Sequence, residues 1–156
     1  MPDSVVPALA SAAAVPNPLL QLENQLCFPL YAASRMLTKA YQPLLQELGL
    51  TYPQYLVLLL LWEHQELTVK ELGEHLLLDS GTLTPLLKRM EQRQWLSRRR
   101  AAHDERSVII GLQPAGEALR GPACRIPEQL LARLDMPQPE FEALRTQLNQ
   151  LLSRLQ

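Results

Sequence analysis

Apolar residues fall into blocks of different period along this chain. Over 19–48 they recur at helical spacing, with Leu22, Leu26, Leu30, Leu37, Leu44 and Leu48 on the pattern. Pro29 and Pro43 interrupt the block, which predicts a kinked or split helix, and Gly49 is a C-terminal stop signal. Thr51 and Gln54 have capping-box spacing and Pro53 suits a first turn, so a second helix is expected over 53–64. It is apolar nearly all round, which predicts a central, buried position. Thr68 and Glu71 repeat the capping-box spacing and open a short helix to about residue 77. A turn over 78–81 leads to a third helix over 82–93, with Leu83, Leu86, Leu87 and Met90 on one face. Pro85 fits only if that helix starts between Ser80 and Thr82. Two short helices joined by a tight turn read as a helix-turn-helix, or equally as an ordinary helical hairpin.

The next block separates those two. WLSRRR (95–100) and SVIIGL (107–112) are β-prone strings on either side of the polar AAHDER, a hairpin placed where a wing belongs. Gln113-Pro114 turns into helix over 114–134, carrying Leu119, Ile126, Leu130, Leu131 and Leu134. Over 138–155, Phe141, Leu144, Leu148, Leu151 and Leu155 form a narrow seam suited to another helix. The predicted fold is mainly α with a small β wing: a winged helix-turn-helix that dimerises through its N- and C-terminal helices. The expected organisation is a flexible tail (1–17) and one domain (18–156). Within it, 18–50 and 114–156 serve dimerisation and 51–113 reads DNA.

Charge sharpens this picture. The chain has 156 residues and a net charge of -1, yet 88–106 holds seven basic and three acidic residues, a local +4 that leaves -5 for the rest. A basic stripe on an acidic body is the footprint of a polyanion site. In a helix-turn-helix the N-terminal residues of the second helix reach base edges. Here those are Ser80, Thr82 and Thr84, with Lys88 and Arg89 further along for phosphates. At the wing tip Arg106 can enter a narrow, A·T-rich minor groove, oriented by Asp104. Arg98, Arg99 and Arg100 read as solubility or phosphate residues rather than base readers. The two cysteines, Cys27 and Cys124, make no disulfide scaffold, so a reducing cytoplasm is expected. His64, His75 and His103 have no metal-ligand spacing, so neither a metal nor a cofactor is expected. No apolar run is long enough to span a bilayer, and no membrane partner is expected.

The segment DERSVIIGLQPAG (104–116) resembles the wing signature of the MarR family, with Gln113 where threonine is usual. LENQLCFPLYAASR (22–35), LTYPQYLVLLLLWE (50–63) and LDSGTLTPLLKRME (78–91) resemble its organic-hydroperoxide-responsive, OhrR-type branch. The resemblance covers about residues 20–156. It implies a homodimeric repressor that binds a pseudo-palindromic duplex operator and responds to an organic hydroperoxide.

Cys27 is then the sensing thiol. Only a thiolate reacts readily with a peroxide, and Cys27 lies near a helix start, with Asn24 a candidate cap, where the helix dipole favours an anion. By residue type alone it reads rather as a small buried hydrophobe, and only the resemblance turns that reading towards a sensor. Tyr31 shares its face, and Tyr41 and Tyr52 are phenols able to donate to a thiolate. Tyr41 is fourteen residues on, roughly 21 Å along a regular helix, too far for its own Cys27 but within reach of a partner's. The resemblance implies that arrangement: a cysteine at the dimer interface held by tyrosines of the facing subunit. Pro29 stands where the family more often has an ordinary apolar residue, and Ala132 where some members carry a resolving cysteine. Cys124 is therefore a candidate resolving thiol or inert, with a small thiol capping Cys27 instead. Two other functions fit parts of the pattern. One is release by a small aromatic ligand at the dimer interface. The other is a thiol peroxidase, which lacks a paired resolving motif such as C-x-x-C here; the chain is expected not to be an enzyme.

Overall fold

The computed structural model describes residues 17–101 and 104–156, with the side chains of all but Glu105 and Arg106. The expected tail, apart from Asn17, lies outside the described residues. The chain divides into two units, the first ending at Met36 and the second running from Leu37 to Gln156.

In the first unit, two 3-10 turns, Pro18–Leu20 and Leu22–Asn24, precede helix α1 (Cys27–Gln46). The expected helix therefore starts eight residues later than its apolar pattern does. Asn17 caps the first turn by accepting from the Leu19 N–H at 3.0 Å. Asn24 is not the cap of α1: its amide donates to the Pro18 carbonyl at 2.8 Å and to Gln21 Oε1 at 3.1 Å, pinning the two turns together. The late start also resolves Pro29. It sits third in α1, inside the first turn, where its missing N–H removes no helical bond. Pro43 remains inside the helix without splitting it.

The second unit is built on α2 (Tyr52–His64). Its start is a capping box between Thr51 and Gln54, with Pro53 in the first turn, as the spacing predicts. A three-residue strand, β1 (Glu66–Thr68), follows, then α3 (Val69–Leu76) and α4 (Ser80–Gln92). Thr68 and Glu71 close a second capping box. Leu77 ends α3 in the left-handed region at φ 53°. Asp79 caps α4, accepting from the Thr82 N–H at 2.9 Å, so α4 begins two residues before the expected 82. The hairpin of β2 (Leu96–Ala101) and β3 (Asp104–Leu112) joins β1 in an antiparallel sheet of order β1-β3-β2. The strands run further out than the expected 95–100 and 107–112, and Asp104 belongs to β3 rather than to the loop. The expected helix over 114–134 is three short ones, α5 (Pro114–Glu117), α6 (Arg120–Ala123) and α7 (Ile126–Leu134), followed by α8 (Gln138–Leu155).

The core joins Leu45, Val57, Leu58 and Leu61 to Leu72, Leu83, Leu87, Met90, Leu96, Ile110 and Ile126. Fully burying a leucine contributes about 1.5–3 kcal/mol, so this cluster holds the helix-turn-helix on α2 and the sheet. Gly116 is required where α5 crosses the root of the hairpin: a Cβ there would overlap the Trp95 carbonyl. Trp62 Nε1 donates to the Gly116 carbonyl at 3.0 Å, which locks α5 onto α2. On α8 the expected seam is only partly covered: Phe141 and Leu151 are half-buried, Leu144, Leu148 and Leu155 are exposed, and Leu152, outside the expected seam, is exposed as well. No helix among the described residues is long and apolar enough to cross a membrane.

Candidate nucleic-acid interface and thiol site

Helix α4 presents the expected reading residues from its first turns. Ser80 and Thr82 are exposed, Thr84 is half-buried, and Lys88 and Arg89 are exposed further along. Their hydroxyls are partly committed. Thr82 Oγ1 donates to Asp79 Oδ2 at 2.8 Å, and Thr84 Oγ1 donates back to the Ser80 carbonyl at 2.7 Å. Both oxygens keep lone pairs, so these side chains face a ligand chiefly as hydrogen-bond acceptors. Asp79 is held below the usual carboxylate range by the Thr82 backbone N–H and then the Thr82 hydroxyl, which keeps the cap ionised. Pro85 leaves the Gly81 carbonyl without a helical donor, and that residue is exposed to water.

The hairpin stands beside this helix. Ser80 and Thr84 share one cleft of about 660 Å³ with Arg98, Asp104, Ser107 and Val108 of the hairpin. The pairing is regular from Leu96↔Leu112 to Arg100↔Val108 and then jumps to Ala101↔Asp104. Such a bulge bends and twists a hairpin. Residues 105–107 lie in the bulged stretch of β3; the Arg106 side chain lies outside the described residues. Of the three consecutive arginines, two have internal partners. The Glu91 carboxylate accepts the Arg98 backbone N–H at 3.1 Å and lies 3.6 Å from its guanidinium. Arg99 Nη2 donates to both Glu66 carboxylate oxygens, at 3.0 and 2.8 Å.

Cys27 and Cys124 are both free and exposed. Cys27 is the first residue of α1, flanked by exposed Leu26, Phe28 and Tyr31. Within a single chain it is not buried. The Tyr31 hydroxyl accepts from Arg35 Nη1 at 2.7 Å, leaving its own proton available to an acceptor. In the second unit, Tyr41 and Tyr52 are brought together, with ring centroids 4.9 Å apart. Tyr55, which sequence reasoning missed, completes the cluster 6.1 Å from Tyr41. Burial, reinforced by Tyr52 and Tyr55, pushes the Tyr41 phenol up to about 12. Burial also raises Tyr52 and, with Tyr52 and Cys124 as lesser causes, Tyr55. All three therefore stay protonated donors at neutral pH. Cys124 lines a groove of about 340 Å³ with Tyr55, Leu59, Trp62 and Arg120, and its Sγ–H donates to the Arg120 carbonyl at 3.2 Å. The signal for Tyr55 was present, three residues after Tyr52 on one helix face. Among the described residues, no cluster of three or more metal-ligating side chains occurs.

Residues 39–119 match the family described as transcriptional regulator SarA/Rot. The organic hydroperoxide resistance transcriptional regulator of Bacillus subtilis (strain 168) is 54% identical over 136 residues, which span 87% of this chain and 92% of that protein. Reduced AbfR bound to DNA superposes with a TM-score of 0.70 at 41% identity, covering 86% of this chain and 94% of that one; AbfR, from Staphylococcus epidermidis, is also solved in a disulfide form. Wild type MarR from E. coli shares the fold, with a TM-score of 0.66 at 24% identity over 82% of this chain and 96% of that one. All of these are regulators rather than enzymes. The winged helix-turn-helix and the relatives agree: the chain belongs to the MarR family of transcriptional regulators, in its organic-hydroperoxide-resistance, OhrR-type branch.

Proposed function

We propose that this chain is a cytoplasmic, homodimeric repressor that leaves its operator when an organic hydroperoxide oxidises Cys27. The observation that carries the reading is the position of Cys27, exposed as the first residue of α1 among exposed apolar side chains. A thiol there is open to solvent, and an organic peroxide finds an apolar surface beside it. The reading is also supported by AbfR, solved in a reduced DNA-bound form and in a disulfide form.

In the reduced dimer, α4 of each subunit enters a major groove of an A·T-rich, pseudo-palindromic site, with Ser80, Thr82 and Thr84 at base edges and Lys88 and Arg89 on phosphates. The half-sites are then about 34 Å apart. Residues 51–113 form the DNA head, and Asp104 with Arg106 forms the wing tip. Residues 18–50 and 114–156 pair with the second subunit, which covers the leucines left exposed on α8. Tyr31 flanks Cys27 on the same helix face, and across that interface the phenols of Tyr41 and Tyr52 donate to the Cys27 thiolate of the facing subunit.

The thiolate attacks one peroxide oxygen. The O–O bond breaks, sulfur is oxidised by two electrons, the peroxide is reduced to its alcohol, and Cys27 becomes a sulfenic acid. A second thiol then displaces water and forms a disulfide; Cys124 and a small cellular thiol are the two candidates. Either product removes the anion that the tyrosines held, and the heads shift off the operator. The test is Cys27→Ser. Fluorescence anisotropy on the operator duplex is expected to show reduced-state affinity within about threefold of wild type, well under 1 kcal/mol, and no release by cumene hydroperoxide. Full peroxide release from Cys27→Ser would reject Cys27 as the sensor.

A further inference from the structure

The three arginines of β2 do different work, although they stand side by side in one run. We infer that Arg100 is a phosphate-contacting residue of the wing, whereas Arg98 and Arg99 are internal braces that hold the wing in place. The inference rests on the DNA-binding reading above and adds a binding residue to it.

Alternation along β2 puts Arg98 and Arg100 on one face of the hairpin and Arg99 on the other. Arg98 lines the cleft that also holds Ser80 and Thr84, so this face is turned to the recognition helix. Arg98 is committed there: it is half-buried, and Glu91 of α4 grips both its backbone N–H and its guanidinium. Arg99 is committed on the opposite face. Its guanidinium reaches across β3 to Glu66 of β1, passing the position where Gly111 has no side chain. A Cβ at Gly111 would crowd Glu66 Oε1 at 3.4 Å and Ser97 Oγ at 3.2 Å. The two pairs thus tie β2 to α4 on one side and to β1 on the other.

Arg100 shares its face with Arg98 and its exposure with Arg99, but not their ion pairs. It is exposed, and among the described residues it has no ion-pair partner. It lies two residues, roughly 6.6 Å, further out than Arg98 on the same face. It is the last residue before the register jump, directly beside the bulged stretch that carries Arg106. An unpaired guanidinium on the groove side of the hairpin, next to the tip, suits a backbone phosphate flanking the minor groove.

The experiment measures affinity against salt, with the reduced full-length chain and a duplex selected by that chain from a random pool. Removing one protein–phosphate contact lowers the slope of log K against log salt by about 0.9. Arg100→Ala is expected to weaken binding about tenfold at low salt and to lower the slope by about 0.9 per subunit, and Arg100→Lys to restore the slope. Arg99→Ala is expected to leave the slope at the wild-type value. An unchanged slope in Arg100→Ala, or an equal loss in Arg99→Ala, would overturn the assignment while leaving DNA binding intact. Absence of duplex binding by the wild-type chain would instead overturn the DNA-binding reading itself.

Discussion

In the proposed DNA head, Leu72, Leu83, Leu87, Met90 and Ile110 have no exposed surface, while before α1 Leu19, Leu20 and Leu26 keep 67% or more of theirs. The same residue type is used in opposite ways. The head completes itself: two capped helices, a three-stranded sheet and two guanidinium braces close around one core. The segment around Cys27 completes nothing within one chain. A recognition surface must be rigid before DNA arrives, because base reading needs side chains already in place. A thiol sensor must instead admit a small reagent and then alter a contact, which a sealed core prevents. The proposed dimer reconciles the two, since a second subunit covers the open part without freezing it.

Breaking the head should have the largest effect, and concentration should not rescue it. Leu87→Ala leaves a cavity in the core and is expected to cost about 3 kcal/mol of unfolding free energy, read from urea denaturation at any protein concentration. An exposed leucine of α8 should behave differently. Leu148→Asp is expected to leave the far-ultraviolet circular dichroism of the chain unchanged but to weaken self-association at least tenfold, about 1.4 kcal/mol, by sedimentation velocity. A Leu148→Asp chain that stays dimeric at nanomolar concentration would show that α8 is not the covered face.

The smallest effect concerns the tyrosine cluster. With its phenol raised from 10.0 to about 12, Tyr41 keeps its proton in the folded chain when the unfolded chain has lost it. That contribution is complete below pH 10 and is lost as pH rises towards 12. After screening by solvent around a half-buried ring, it is worth about 1 kcal/mol. Tyr41→Phe should therefore flatten the fall in urea midpoint above pH 10. An unchanged profile would mean that the cluster is open to solvent.

Much of the head was legible because its signals are local. The Thr51 and Thr68 capping boxes, the apolar face of α4 and the β-prone strings all act within a few residues. What was misread depended on distant partners or on missing ones. Strand β1 is three residues long and exists only because Glu66, Leu67 and Thr68 pair with β3. The outer parts of β2 and β3 extend past the core, so AAHDER has no apolar alternation and reads as loop. Over 114–134, Leu119, Ile126 and Leu130 keep a helical spacing although the chain turns at Ala118-Leu119 and at Cys124-Arg125, just ahead of Pro122 and Pro127, and so divides into short helices. At the site, the hydroxyls of Thr82 and Thr84 were visible as residue types, but their commitment to Asp79 and Ser80 was not. The roles of Arg98 and Arg99 were hidden for the same reason: Glu91 lies seven positions away and Glu66 thirty-three. The Cys27 reading came through resemblance, and the structure added its exposure and its place at the start of α1.

The central claim is that loss of the operator follows oxidation at Cys27. The most direct test treats the reduced chain, bound to its duplex, with one equivalent of an organic hydroperoxide and follows intact and peptide masses beside DNA release. The account predicts that the Cys27 peptide gains an oxygen, or a disulfide to Cys124 or to an added thiol, in step with release. Release with Cys27 still a free thiol would contradict it.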